Sequence, residues 1–377
     1  MTNSTPLTNA SAIQAWLDRK PADTRTCLDT ESNSQFVFQE EVCLLQLQVA
    51  EQEPLLIDSL AVDKDDIRDL LRHLNSDGGL LVHGGAYDIG CIKRDYGVEL
   101  TNLHDTQEAA LLLGIPKTGL GALVEQATDI HLAKAHTDFN WGLRPLPEEA
   151  LAYAADDVRY LTQVIDWLKP QLIEKDLLDE WQEACAQIAA TPPHGSKTVH
   201  PLWRLKDLRR LNDQQLGIAA ALLEWRSERA EAVNIPPGRV LPNALIPVLA
   251  KQQPGNFGLL KRMRLKERFL RQHGEDLINF FNQHRSKALE VPPRPMKPDL
   301  SPNERERRKK REERLKQWRK SEATKRAVSL QAILPSRCLD ALVALPAGEQ
   351  PAWSELPGFG ARRSERYIDT LSGLLAR

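Results

Sequence analysis

The segment LLEWRSERA at 222–230 returns as LKQWRKSEA at 315–323, an offset of 93 residues. Trp225 falls on Trp318, Arg226 on Arg319 and Ala230 on Ala323, and at the same offset Leu241-Pro242 falls on Leu334-Pro335 and Leu249 on Leu342. A period this long is domain-sized rather than solenoid-sized. The C-terminal half therefore reads as one small helical module made twice. The stretch VPPRPMKPDLSPN (291–303), with poor helix prospects, separates the copies. TPPHGSKTVHP (191–201) is a linker by composition and precedes the first copy. The expected division is 1–190 for an N-terminal domain, 191–203 for a linker, 204–288 for the first module, 289–303 for the proline-rich linker and 304–377 for the second module.

The N-terminal part has a different grammar. RTCLDTE, VCLLQLQVA and PLLIDSL are short, β-friendly or apolar runs, and the polar SNSQFVFQEE between the first two reads as a loop. GGLLVHGG (78–85) reads as a buried strand followed by a helix over about 86–95. A short strand near LHDT leads into a helix over QEAALLLG, and LGALVEQATD and PEEALAYAADDVRYLTQVIDWL are further helices. Three strands followed by alternating helix and strand make an α/β domain.

The formal net charge of −2 conceals a division. Residues 1–190 hold 14 Lys and Arg against 32 Asp and Glu, a formal −18, and the remainder holds 36 against 20, a formal +16. An acidic part joined to a basic, polyanion-seeking part is the expectation. No apolar run approaches the roughly 18–20 residues of a membrane span, so no membrane partner is expected. The N-terminus lacks the charged start and apolar core of a signal peptide. Five scattered cysteines, never spaced CxxC, argue against zinc and a disulfide framework and fit a reducing, cytoplasmic setting. Each reads as a small buried hydrophobe.

Three places carry acids that suggest chemistry. Asp29 and Glu31 are two apart on a strand, so both carboxylates point to one face while Leu28 and Thr30 point to the other. Two carboxylates near a core ionise cheaply only beside a cation, and a divalent, oxygen-preferring metal meets that need. The competing reading is a strand end with ordinary exposed acids. Asp88 follows a buried strand at the start of a helix, where the helix dipole alone would favour an acid. In YAADDVRYL (153–161) two adjacent aspartates differ by roughly 100° around the helix axis, so they cannot serve one site together. Asp157 lies beside the stripe of Ala154, Val158, Leu161, Ile165 and Leu168, one turn from Tyr153, and Asp156 points further toward solvent. Standing alone, Tyr153 would read as a half-buried aromatic. Beside a metal its phenol is placed to hold an attacking water.

Asp29-x-Glu31, Asp88 and Tyr153-x-x-x-Asp157 resemble, in order and separation, the three motifs of the DEDDy 3′→5′ exonucleases. LLQLQV, LLIDSL, VHGGAYDI, NLHDTQEAALLLG and FNWGLRPLPEEALAYAADDVRYL sharpen the resemblance to the ribonuclease D family over about residues 10–185. The basic repeats resemble the HRDC module, over about 204–283 and, more weakly, 305–377. The resemblance implies a ribonuclease H-like α/β domain with a mixed five-stranded sheet, followed by two small all-α domains. It implies that Asp29, Glu31, Asp88 and Asp157 hold two Mg²⁺ or Mn²⁺ ions about 4 Å apart. It further implies that Tyr153 orients a water for attack on the 3′-terminal phosphodiester, with nucleoside 5′-monophosphates as products. RNA, in the form of tRNA precursors, is the implied substrate. A DNA 3′→5′ exonuclease and a catalytically inactive nucleic-acid-binding adaptor are the alternatives. One departure is visible: Ser32 stands where the family is expected to carry an aromatic, and Phe36 or Phe38 is a candidate replacement.

Other residues are open to both readings. His83 and Arg144 are candidate nucleic-acid contacts, although the favoured role of Arg144 with Trp141 is bracing the loop before the Tyr153 helix. Asp105 is expected to cap the following helix, with Gln107 solvated in its first turn. Trp225 and Trp318 are expected to pack in cores. ERERRKKREERLKQWRK (304–320) reads as a charged helix that either pairs internally at i,i+4 or contacts phosphate. GSKT (195–198) lacks the GK[ST] of a phosphate-binding loop, so no nucleotide-triphosphate motor is expected.

Overall fold

The computed structural model describes residues 5–50, 52–132, 139–195, 199–263, 265, 267–295, 300–346 and 348–376. Strands β1 (Thr26–Ser32), β2 (Val42–Val49), β3 (Leu55–Asp58), β4 (Leu80–Val82) and β5 (Leu103–Asp105) form one sheet in the order β3-β2-β1-β4-β5. β1 and β2, and β2 and β3, run antiparallel, whereas β1 and β4, and β4 and β5, run parallel. This is the mixed five-stranded sheet of the expected fold. All eight residues of β2 are buried, so both faces are covered and the strand reads as an almost continuous apolar run.

Helices α1 (Ala10–Leu17), α2 (Lys64–Ser76) and α3 (Ala86–Tyr96) cover one face. There Leu28, Leu45, Leu47, Ile57, Leu80 and Val82 pack with Ile67, Leu70 and Leu71 of α2 and Ile89 and Ile92 of α3. On the other face lie α4 (Thr106–Leu113), α5 (Leu120–Thr128), α6 (Glu148–Arg159), α7 (Leu161–Glu174) and α8 (Leu178–Ala189). α6 sets Ala150, Ala154 and Ala155 against Cys43, Leu44 and Leu56. Small side chains let this helix approach the sheet closely, which brings Asp157 to β1.

Two features differ from expectation. The stretch expected as one helix through residue 168 is two, α6 and α7, separated at Tyr160, whose φ of −111° and ψ of 3° leave the helical region. Neither Pro nor Gly marks that break in the sequence. α1, α2 and α8 also lie where no element was read. For α2 the signal was present, since Ile67, Leu70, Leu71 and Leu74 are its buried stripe and Asp63 caps it.

The first helical module comprises α9 (Asp213–Ala232), α10 (Pro237–Val240), α11 (Leu245–Gln252), α12 (Phe257–Arg262) and α13 (Glu267–His284); the second comprises α14 (Pro302–Arg326), α15 (Leu330–Ile333), α16 (Ser336–Ala344) and α17 (Gly360–Leu375). α10 and α15 are offset by 93 residues at both ends, so the duplication extends to local structure. In each copy a buried arginine ties the long first helix to the short one's neighbourhood: Arg226 donates to the Leu241 carbonyl and Arg319 to the Leu330 carbonyl, both at 2.9 Å. Trp225 is buried, and Trp318 packs edge-on to Tyr367, as expected of core residues.

The chain divides into two compact units. One consists of Ser34–Glu40 and Ser196–Pro298, and in it Phe38 packs on the first module's core while the Arg239 guanidinium lies over Phe36. Both aromatics thus pack within the helical module. The other unit joins the α/β domain to the second module. Ser329 donates its backbone N–H to the Leu112 carbonyl (3.1 Å), Ala332 enters the α4–α7–α8 core, Arg362 pairs with Asp176 (2.9 Å) and Arg366 with Glu180 (2.5 Å). Residues 196–198 of the GSKT stretch lie outside the described residues.

Candidate active site

β1 presents Asp29 and Glu31 on the face that α6 covers. Asp157, on α6, meets them: carboxylate oxygens of the three lie within 4.8 Å of one another. All three keep partial exposure. Tyr153, one turn before Asp157, donates its hydroxyl to the Asp157 carboxylate. Asp156 turns away, with its side chain 39% exposed and bonded to Arg159 at 3.1 Å. The register shift between Glu31 and Ser32 leaves Cys43 of β2 as the extra residue of a bulge, a distortion common beside sites.

Asp88 comes from the opposite face, on the first turn of α3, and stands outside the 4.8 Å group. Its carboxylate accepts a hydrogen bond of 2.5 Å from the hydroxyl of Thr30, the residue between Asp29 and Glu31. The turn that aims α3 is fixed in turn by Asp105. This fully buried carboxylate caps α4 through the N–H groups of Gln107 and Glu108, as expected, and also accepts from Gly84 (3.0 Å) and Gly85 (2.9 Å). Gly84 sits at φ +64°, and a Cβ there would meet the Gln107 side chain at 2.7 Å. The spacing of β1 could have pointed to Thr30 only as a buried strand residue; no local signal marks its partner.

Charge crowding dominates the site's electrostatics. Burial, then the charges of Asp88, Asp157 and Glu31, push the Asp29 carboxyl well above its usual range. Burial followed by Asp157 and Asp88 raises Glu31 to about 9. Asp157 rises to about 7, by burial and then by Asp156, against the Tyr153 hydrogen bond. Asp88 is raised by burial, opposed by Thr30. The Tyr153 phenol is raised as well, by burial and the neighbouring carboxylates, and stays neutral. Four such acids ionise together at neutral pH only with compensating positive charge. The donor set is all oxygen, which suits hard divalent cations.

The secondary candidates resolve differently. Arg144 commits all five N–H groups: Nε and Nη2 to Asp58, Nη2 also to the Cys43 carbonyl, and Nη1 to the Trp141 and Leu143 carbonyls. No donor remains for a phosphate, so the nucleic-acid role expected of Arg144 gives way to the bracing one. Burial alone would raise the Asp58 carboxyl, and Arg144's hydrogen bonds and charge overturn that and hold it below the usual range. His83 is half-buried, with Nδ1 2.8 Å from the Thr106 hydroxyl, and burial lowers its pKa, so it is neutral at pH 7. Ser32 lies 3.2 Å, oxygen to oxygen, from the hydroxyl of Tyr87, an exposed ring set edge-on to His194.

A 3′-5′ exonuclease family model matches residues 6–173, and an HRDC domain model matches 215–280 and 308–375. The chain is ribonuclease D-like. Its α/β domain is a 3′-5′ exonuclease domain, and the two helical modules are HRDC domains whose matched segments begin 93 residues apart. Ribonuclease D of Acidiphilium cryptum is 31% identical over 67% of this chain and 64% of its own length. Exosome complex component 10 of Mus musculus is 30% identical over 60% of this chain and 26% of its own. The matched stretch thus spans less than two thirds of either relative. Escherichia coli RNase D, 22% identical, shares the fold, with a TM-score of 0.69 over 99% of both chains. Among the described residues no helix is long and apolar enough to cross a membrane.

Proposed function

We propose that this chain is a divalent-metal-dependent 3′→5′ exoribonuclease that releases nucleoside 5′-monophosphates and trims the 3′ ends of structured RNA, tRNA precursors foremost. The observation that carries the reading is the meeting of Asp29, Glu31 and Asp157 within 4.8 Å beside a tyrosine bonded to one of them. Those three and Asp88 would hold the cations. When bound, two divalent cations supply an acidified water and stabilise charge on the leaving 3′ oxygen. The chain's own groups do the rest. Tyr153 stays a neutral phenol, able to donate to Asp157 while accepting from a water, and so fixes the line of attack on phosphorus. The P–O3′ bond breaks, the shortened RNA keeps the 3′ hydroxyl, and the terminal nucleotide leaves with its 5′ phosphate.

RNA as substrate is supported by the ribonuclease D relatives and by the basic C-terminal half, whose cations favour a polyanion. Matched RNA and DNA oligomers of one sequence, incubated with Mg²⁺ or Mn²⁺, test it. Preferential shortening of RNA is the expected result. Faster shortening of DNA would make the chain a DNA exonuclease, and binding with no shortening of either would make it an adaptor.

A further inference from the structure

Asp29 and Glu31 reach the site from one face of the sheet and Asp88 from the other, so something must hold the fourth carboxylate at the strand edge. We infer that Thr30 does this: its hydroxyl locks the Asp88 side chain in the orientation that leaves the second carboxylate oxygen to a divalent cation. Thr30 is therefore a positioning residue, and the inference rests on the metal-site reading given above.

The geometry makes the assignment specific. Strand alternation turns Thr30 away from its neighbours Asp29 and Glu31 and toward the α3 face, where it is buried. Asp88 is itself only 8% exposed, so water cannot readily replace a lost donor. The hydroxyl bonds Oδ1 alone. Asp88's backbone is fixed separately, because α3 begins at the Gly84-Gly85 turn, whose two N–H groups end on Asp105. With the helix start pinned, the remaining freedom of Asp88 is rotation of its own side chain; backbone N–H groups of Asp88 and Thr30 also restrain it, and the Thr30 hydroxyl restrains it most. An alternating strand thus supplies two ligands on one face and the fastener for another ligand on the opposite face within three consecutive residues. Partners that orient a metal-binding group typically change metal affinity by about 10–100-fold when lost. Hydrogen bonds to charged groups are also the stronger kind.

The test compares full-length wild type, Thr30→Val, Thr30→Ser and Asp88→Asn at pH 8. Mn²⁺ binding is read directly by calorimetry without RNA, and turnover of a 5′-labelled RNA is read across Mn²⁺ concentrations. Thr30→Val, nearly isosteric but without the donor, is expected to weaken Mn²⁺ binding by about 10–100-fold. The Mn²⁺ concentration for half-maximal turnover rises in step and KM for RNA at saturating Mn²⁺ stays near wild type, while the melting temperature in EDTA falls by a few degrees, because the buried Asp88 carboxyl loses a partner that water does not replace. Thr30→Ser keeps the hydroxyl and is expected to stay within about threefold of wild type, far short of the 10–100-fold loss. Wild-type Mn²⁺ affinity in Thr30→Val, or equal loss in the Ser variant, overturns the inference. If Thr30→Val fails to fold, the Ser variant decides: loss of Mn²⁺ affinity there, with an unchanged melting temperature, overturns it, and retention supports it. Wild type that binds Mn²⁺ but leaves RNA intact refutes the exonuclease reading alone, because the calorimetric comparison still judges Thr30.

Discussion

Glu31 offers a perturbation whose size follows from the site. In the folded chain its carboxyl is raised from the ordinary 4.5 to about 9, by burial first and then by Asp157 and Asp88. The folded state therefore keeps a proton that the unfolded chain has already released. The stability this contributes is complete below the unfolded value and is lost as pH rises through the folded one. Each retained proton changes stability by about 1.4 kcal/mol per pH unit. His83 and His104, both lowered by burial, are neutral in either state above pH 7, and the buried thiols of Cys27, Cys43, Cys185 and Cys338, raised by burial, add to the loss only as pH approaches 9, with metal as without it. Glu31 alone should thus cost metal-free protein about 2–3 kcal/mol between pH 7 and pH 9, and the raised Asp29 carboxyl adds to it. At roughly 2–4 °C per kcal/mol for domains of a few hundred residues, its melting temperature falls by about 5–10 °C. Differential scanning calorimetry in EDTA measures it. Saturating Mg²⁺ or Mn²⁺ should remove most of the slope, since bound cations stabilise the ionised acids. Glu31→Gln should reduce the slope without metal, leaving the part that the raised Asp29 and Asp157 carboxyls contribute, and leave the protein more stable than wild type at pH 9, at the expense of activity. A melting temperature independent of pH in EDTA, or one that falls equally with metal present, would refute the account of crowded carboxylates.

Other consequences are as direct. Asp157→Asn should lower kcat by more than about 100-fold, beyond the usual loss from an outer partner, whereas Asp156→Asn, on the solvent side beside Arg159, should stay within about threefold. Equal loss in both would mean that Asp156 also serves the site. Tyr153→Phe should cut kcat by roughly 100-fold or more, the range of a proton-handling or water-orienting group, with KM for RNA nearly unchanged; steady-state kinetics at saturating metal separates the two parameters. Arg366→Ala should cost about 3–5 kcal/mol in urea denaturation, because Glu180, 1% exposed at the junction of the second HRDC domain with the exonuclease domain, loses its ion-pair partner. Adding Glu180→Gln should recover part of that cost, and a cost below about 1 kcal/mol would show that the pair is not needed there.

Much of the site could be read before any coordinate. Period-two spacing put Asp29 and Glu31 on one strand face, and the 100° step of a helix separated Asp157 from Asp156. Short β-friendly or apolar runs located all five strands, β2 most readily because it is buried on both faces. The unreadable parts share a cause: their partners are distant in sequence. Thr30 and Asp88 lie 58 residues apart, and Asp58 and Arg144 lie 86 apart. Neither local propensity nor hydrophobic period encodes which strand residue will meet which loop. Arg144 stayed open between bracing and phosphate contact because an arginine in a loop near acids is ambiguous until its partners are known. Charge counting also overstated the free basic surface of the second HRDC domain. Arg311, Arg319 and Arg363 are buried on backbone carbonyls, and Arg362 and Arg366 are paired with acids of the exonuclease domain. The break at Tyr160 was invisible because no helix-breaking residue accompanies it.

The central claim is metal-dependent shortening of RNA from its 3′ end. It is tested most directly with a 5′-labelled, 3′-extended tRNA incubated with the full chain in Mg²⁺, in Mn²⁺ and in EDTA. The account predicts a ladder of products retaining the 5′ label, one nucleotide apart and ending near the mature 3′ end, with nucleoside 5′-monophosphates released and no products in EDTA. An intact substrate under both metals, or a ladder that persists in EDTA, would contradict it.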